Sequence, residues 1–125
     1  MFQDRARERT IHFLALILFC YIFLFHGLGS YSLKEPDEGR YAEIPREMIE
    51  RGDYVVPYLN YVRYFEKPPL LYWVTVGSYQ VFGISEWSFR FPNALAAFLC
   101  VLATYLFASR RWGEEAGFLS SLILT

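Results

Sequence analysis

The sequence has little cysteine and no excess of charge of either sign. Its two cysteines, Cys20 and Cys100, both stand within apolar runs, so neither a disulfide framework nor a thiolate metal site is indicated. Both are predicted to be small core residues. Twelve lysines and arginines against 13 acidic residues give a net charge of −1, which excludes the basic field of a nucleic-acid-binding protein. Hydrophobic residues make up 54% of the 125 positions and aromatic residues 20%. Part of this apolar surface must therefore face lipid.

Two apolar stretches, residues 11–29 and 92–109, are long enough to cross a bilayer. Three arginines in the tail of residues 1–10 precede the first stretch, and Arg110 and Arg111 follow the second. By the positive-inside rule both basic segments lie in the cytoplasm, so the residues between the spans are extracytoplasmic. A cleaved signal peptide is the alternative for the first stretch, but its apolar run is long and bulky and lacks a small-x-small exit.

The remaining apolar segments are shorter. Residues 69–82 are aromatic and partly polar, which favours an interfacial helix over a span, and a span there would put Arg110 and Arg111 outside. Residues 110–113 then form a cytoplasmic turn, and residues 114–125 start like another membrane helix. We interpret the chain as the amino-terminal part of a larger all-α multi-pass protein, with two complete spans and a partial third. The alternative is a short protein whose last helix is re-entrant or packs against a partner.

The extracytoplasmic loop of residues 30–91 carries nine of the 13 acidic residues. Pro36 and Asp37 are helix-start signals and Gly52 is a stop signal, so a helix is predicted near residues 38–51. Its apolar positions recur with helical spacing, which is typical of a helix that lies along a membrane or covers a protein core. These apolar positions are Tyr41, Ile44, Met48 and Ile49.

The charged residues of this helix are predicted to lie mostly away from its apolar face, as solvated pairs such as Arg46 with Glu50 and Glu47 with Arg51. Pro45 should kink the helix because it removes a backbone donor. Asp37 stands at the helix mouth, where it is either an N-cap or a carboxylate that faces a lipid headgroup. The charged positions predicted to lie away from the apolar face are Arg40, Glu43, Glu47 and Glu50.

A second charged cluster, RYFEKPP at residues 63–69, stands just before the interfacial helix. Lys67 is placed to meet a phosphate there, because the helix dipole and its free N–H groups add to the ammonium charge. The alternative is a lysine that snorkels to the membrane interface.

The segments EPDEGRYAEIPREMIERGDYVVP and RYFEKPPLLYW resemble the lipid-carrier-dependent glycosyltransferases of family 39 in the GT-C superfamily. Among these they are similar to the aminoarabinose (ArnT-like) transferases of lipid A and, more distantly, to the protein O-mannosyltransferases. The resemblance covers essentially the whole chain. It implies a multi-pass GT-C fold in a bacterial inner membrane, with two membrane-parallel helices in the first outer loop.

The resemblance also implies an activity and a set of site residues. Such enzymes move a sugar from a polyprenyl phosphate carrier to a lipid or protein acceptor outside the cytoplasm, without a nucleotide cofactor. Asp37 and Glu38 match the catalytic carboxylates, and Glu66 resembles a ligand of a divalent metal. The two histidines of the chain lie in the first span and do not match the ligands that would complete such a metal site. The residues implied to bind substrate are Arg40, Tyr41, Tyr64 and Lys67.

The chemistry of sugar transfer suits these residue types. Attack at the anomeric carbon expels a polyprenyl phosphate, so negative charge develops on phosphate oxygens and calls for a cation such as Lys67. If the acceptor is a hydroxyl, Asp37 is the candidate base; if the acceptor is a phosphate, Asp37 positions it or holds a cation.

Two other functions remain open at this point. One is a small non-enzymatic membrane interaction protein whose outer loop docks a partner. The other is an oligosaccharyltransferase-like protein, against which the EGRYAE and YFEKPP segments argue. Under the enzyme hypothesis these 125 residues alone should be inactive, because two spans and a partial third do not enclose a lipid-linked donor.

Overall fold

The computed structural model describes residues 7–125, together with the backbone of the first helix from Phe2. Arg5 of the predicted basic tail lies outside the described residues. Contacts divide the chain into two units. The span unit comprises the residues up to His26 and Asn93–Thr125, and the loop unit comprises Gly27–Pro92.

The span unit is built from long apolar helices. Helix α1 is continued by one π-helical turn at Tyr21–Phe25, and the chain leaves the helical conformation by Gly27, whose φ is +79°. Among the described residues, Arg7–Phe25 and Glu86–Trp112 are long and apolar enough to cross a membrane, in line with the two predicted spans. The helices that contribute to this unit are α1 (Phe2–Cys20), α4 (Glu86–Trp112, which begins in the loop unit) and α5 (Glu114–Leu124).

The core of the span unit joins α1 to α4. Leu16 and Cys20 pack there against Val101 and Tyr105. Cys20 is thus a buried core residue, as its apolar surroundings predicted, whereas Cys100 is exposed and the same prediction is wrong for it. A helical period of 3.6 residues explains the difference, because position 100 lies next to Val101 but on another face of α4.

The loop unit pairs two helices, α2 (Asp37–Arg51) and α3 (Leu70–Phe82). Ile44 and Met48 of α2 pack with Tyr72 and Val76 of α3 in a buried cluster, so the apolar face of α2 covers a protein core. Helix α2 ends as predicted, at Gly52, whose φ of +67° is left-handed. Pro45 is buried inside α2, and the kink expected there stays a prediction.

A small β-hairpin follows α2 and departs from the all-α prediction. Strands β1 (Tyr58–Leu59) and β2 (Val62–Arg63) pair antiparallel. The turn between them has φ values of +52° at Asn60 and +64° at Tyr61, the signs of a two-residue hairpin turn. Asparagine tolerates this conformation, but a bulky side chain does so only with support. The hairpin was missed because the sequence lacks a glycine at this turn.

Glu47 supplies that support and corrects a second prediction. Its side chain is fully buried, and its two carboxylate oxygens lie 3.0 and 3.3 Å from the backbone nitrogen of Tyr61, which donates to them. The prediction that Glu47 lies on a solvated face is therefore wrong, although Arg51 does approach it at 3.9 Å. The predicted pair of Arg46 with Glu50 is confirmed at 3.0 Å.

Candidate active site

Asp37 is the first residue of α2 rather than its N-cap. Pro36 occupies the N-cap position, and no side chain makes a capping hydrogen bond there, so the N-cap interpretation of Asp37 is wrong. The Asp37 side chain is 80% exposed, and its nearest cation is Arg40, at 3.9 Å. A carboxylate in the first turn is favoured by the helix dipole. Asp37 is thus held loosely and is open to a ligand.

Glu38, the next residue, is held firmly. Arg90 donates to both of its carboxylate oxygens, at 3.2 and 2.9 Å, and the backbone N–H of Lys34 donates to one of them at 2.8 Å. The hydrogen bond from Arg90 and then the one from Lys34 lower the pKa of Glu38 to about 2. A carboxylate with so low a pKa is a weak base. The catalytic role implied for Glu38 stays a prediction. In the structure its carboxylate is paired with Arg90.

Arg90 binds backbone carbonyls of the segment that leads into α2. No role for Arg90 was predicted from the sequence. Its guanidinium donates to the carbonyls of Leu28 (2.6 Å), Tyr31 (3.0 Å) and Ser32 (3.2 Å) as well as to Glu38. It lies 4.4 Å over the Tyr31 ring, and its side chain is only 8% exposed. We call Arg90, Glu38 and these three carbonyls the Arg90 lock. One signal could have indicated it: an arginine between two phenylalanines beside a predicted span needs a partner.

Arg40 interacts with three other sequence-predicted site residues. The pKa of the Arg40 guanidinium is raised, first by the Tyr64 side chain and further by the charges of Asp37 and Glu66. Tyr64 in turn donates its hydroxyl to Glu66 at 2.9 Å. We call Asp37, Arg40, Tyr64 and Glu66 the polar cluster. An open groove of about 380 Å³ adjoins it, lined by Glu35, Pro36, Gly39, Arg40, Glu43, Leu59 and Asn60.

The two other predicted substrate-binding residues lie differently. Tyr41 is half-buried, packs against the α2–α3 core, and stacks on Tyr72 with ring centroids 6.4 Å apart. Lys67 is exposed and stands just before the N-cap of α3, Pro69. Within residues 7–125 Lys67 makes no ion pair. The predicted contact of Lys67 with a phosphate stays a prediction.

Glu66 is the one metal ligand that the resemblance implies. Within residues 7–125 no group of three or more histidine, cysteine, aspartate or glutamate side chains could hold an ion. One carboxylate oxygen of Glu66 accepts from Tyr64. Glu66 therefore stays a predicted ligand, and no chemical step is derived through a metal.

Sequence comparisons connect the chain to sugar transferases that use lipid carriers. The family profile "Dolichyl-phosphate-mannose-protein mannosyltransferase" matches residues 66–125. An undecaprenyl phosphate-alpha-4-amino-4-deoxy-L-arabinose arabinosyl transferase of Aeromonas hydrophila is 44% identical over 87% of the chain and 20% of its own length. A second transferase of this name, from Proteus mirabilis, is 40% identical over 98% of the chain and 22% of its length. The chain spans about a fifth of the curated relatives that it matches.

Two crystal structures of ArnT from Cupriavidus metallidurans share the fold of the chain. The apo structure has a TM-score of 0.83 and 39% identity, over 92% of this chain and 21% of the other. The structure bound to undecaprenyl phosphate has a TM-score of 0.77 and 40% identity, over 83% of this chain and 19% of the other. The resemblance drawn from the two sequence segments is thereby confirmed.

Proposed function

Because this chain belongs with the ArnT-like GT-C glycosyltransferases, we propose that the protein is a membrane glycosyltransferase that uses a polyprenyl phosphate sugar as donor. The names of the relatives support a finer proposal, in which 4-amino-4-deoxy-L-arabinose is transferred from undecaprenyl phosphate. The acceptor that we propose, from the resemblance to the lipid A transferases, is a membrane lipid, lipid A. The arabinosyl transferases among the relatives give no support to a protein acceptor, so protein O-glycosylation is not proposed.

The orientation proposed for the chain follows from its charges. Arg7 and Arg9 precede the first apolar helix, and Arg110 and Arg111 end the second. If these arginines lie in the cytoplasm, the loop unit lies on the outer side of the inner membrane. The polar cluster then faces the leaflet in which a translocated donor presents its sugar.

The observation that carries the proposal is the contrast between Asp37 and Glu38. Asp37 offers an exposed carboxylate at the mouth of α2, with Arg40 beside it, whereas both oxygens of Glu38 are bound to Arg90. We assign Asp37 the role of base toward a hydroxyl acceptor, or of positioning a phosphate acceptor. Glu38 and Arg90 position the start of α2, and thereby Asp37.

Departure of the carrier requires a cation near its phosphate. As the bond from the anomeric carbon to the phosphate oxygen breaks, the electron pair stays on that oxygen and negative charge grows on the phosphate. Lys67 is exposed just before the amino end of α3, where the ammonium and the helix N–H groups act together. Arg40 and Tyr64 are the neighbouring groups proposed to contact the donor or the acceptor.

The test is sugar transfer by the whole protein in lipid nanodiscs, with undecaprenyl-phosphate-linked aminoarabinose as donor and lipid A as acceptor, followed by mass spectrometry. The wild type should add one aminoarabinose to lipid A, and Lys67→Ala should lower turnover by about 100-fold or more at unchanged expression. Residues 1–125 alone should be inactive. Absence of transfer by the wild type would overturn the proposal and favour the membrane interaction protein.

A further inference from the structure

The loop unit contains a buried carboxylate to which the catalytic proposal gives no task. Glu47 lies in the third turn of α2 and is fully buried. Both of its oxygens face the backbone N–H of Tyr61, at 3.0 and 3.3 Å. Burying a carboxylate is costly unless it is paired or hydrogen-bonded. Glu47 meets this condition through the Tyr61 N–H and through Arg51, whose guanidinium lies 3.9 Å away, so its burial couples α2 to the hairpin turn.

Glu47 holds the turn of the hairpin in place. Tyr61 adopts a left-handed φ of +64°, which is strained for a bulky side chain. The hydrogen bond to Glu47 holds this residue in place, and the Arg51 guanidinium lies 5.0 Å over the Tyr61 ring and 4.1 Å over the Tyr58 ring. Helix α2 therefore contacts the hairpin at its turn through Glu47 and Arg51. We call the contact between Glu47 and Tyr61 the hairpin latch.

The hairpin leads directly into the site. The backbone N–H of Tyr64, just after β2, donates to the carbonyl of Pro57 at 2.9 Å and so extends the pairing of the two strands. The Tyr64 hydroxyl then donates to Glu66, and Lys67 comes next in the chain. A shift of the turn would therefore move the residues proposed to contact the carrier headgroup.

We infer that Glu47 is a positioning residue of the transferase: by holding Tyr61 in its left-handed conformation, it sets the hairpin so that Tyr64 and Lys67 meet the phosphate-sugar headgroup. This inference rests on the proposed function. Glu47 touches no reacting atom and acts through the backbone of the hairpin.

The first test compares Glu47→Ala with Glu50→Ala in the whole protein. Both changes remove a carboxylate from α2, but Glu50 is exposed and pairs only with Arg46 among the described residues. Glu47→Ala should raise the KM for the undecaprenyl-phosphate-linked sugar about 10-fold, the loss expected for one hydrogen bond to a charged group. Glu50→Ala should leave the KM within about 2-fold. A Glu47→Ala protein that is less heat-stable but has an unchanged KM would reduce Glu47 to a structural residue and overturn the inference.

The second test is rescue. Glycine adopts positive φ without strain, so Tyr61→Gly in the Glu47→Ala background should bring the KM back to within about 3-fold of the wild type. Glu47→Gln, which keeps an oxygen acceptor, should also stay near the wild type. If Glu47→Ala does not fold, Glu47→Asp replaces it, because its carboxylate is one methylene too short to reach Tyr61. Failure of Tyr61→Gly to restore the KM would exclude the turn as the link.

Hydrogen exchange separates this inference from the proposed function. In Glu47→Ala the amides of Tyr61 and Tyr64 should exchange faster than in the wild type, whether or not the protein transfers sugar. If the wild type transfers no sugar, the proposed function fails, and the exchange result still tests the latch. Unchanged exchange at both amides would overturn the inference.

Discussion

The two ends of α2 are both tied to irregular backbone by a glutamate, but in different ways. At the amino end Glu38 binds a buried arginine and the Lys34 N–H. At the other end Glu47 accepts from the backbone N–H of Tyr61 at a strained turn, and Arg51 lies 3.9 Å away. At the amino end Arg90 also donates to three backbone carbonyls, so loss of Arg90 leaves several polar groups unpaired. The hydrogen bond to Glu47 compensates the strain of the positive φ at Tyr61. A glycine at position 61 would adopt this φ without strain, so it would not need the hydrogen bond.

Loss of the arginine at the amino end is predicted to have the largest effect on stability. Arg90→Ala leaves Glu38 and the carbonyls of Leu28, Tyr31 and Ser32 without their donor, which should cost about 2–3 kcal/mol. Thermal unfolding of the whole protein in detergent measures this loss. Arg90→Lys should recover only part of it, because an ammonium cannot make the same set of contacts. A midpoint for Arg90→Ala equal to that of the wild type would contradict the Arg90 lock.

Acid should weaken the contact of Glu38 with Arg90 at the amino end of α2. The hydrogen bonds from Arg90 and Lys34 lower the pKa of Glu38 to about 2 from its ordinary value of 4.5. The carboxylate therefore adds stability above about pH 4.5, and this contribution is lost as the pH falls toward 2. Thermal midpoints of the wild type should converge on those of Glu38→Gln over that range. A difference between the two proteins that stays constant from pH 5 to pH 2 would contradict this assignment.

The smallest predicted effect compares two buried tyrosines of α3 that lie on the core side of α2. Tyr79 donates its hydroxyl to the carbonyl of Ala42 at 3.3 Å, whereas the buried hydroxyl of Tyr72 has no hydrogen-bond partner among the described residues. Tyr79→Phe should cost about 1 kcal/mol, and Tyr72→Phe should be neutral or stabilising. Thermal midpoints of the two variants test this. Equal losses would show that Tyr72 has an acceptor of its own.

Local signals predicted α2 well. Proline and acidic residues at its start, glycine at its end and an apolar stripe with helical spacing all act within a few residues of one another. The exposed position of Asp37 at the helix mouth follows from the same signals. Its role as the first helical residue depends on the backbone of Pro36, which the sequence pattern did not resolve.

The two ties could not be predicted in the same way, because their partners are distant in sequence. Tyr61 is 14 residues from Glu47, and Glu38 is 52 residues from Arg90. Helical periodicity places Glu47 among the charged positions, and only the hairpin that folds over it makes it buried. The hairpin escaped prediction because its turn contains Tyr61 where a glycine would signal it.

Replacement of Asp37 by asparagine tests the central claim most directly. In the whole protein, Asp37→Asn keeps the shape of the side chain and disturbs no close contact among the described residues beyond the 3.9 Å approach of Arg40. Undecaprenyl phosphate binding and the thermal midpoint should stay near the wild type, while sugar transfer falls by about 100-fold or more. Transfer at the wild-type rate by Asp37→Asn would contradict the account, because the exposed carboxylate would then have no part in the reaction.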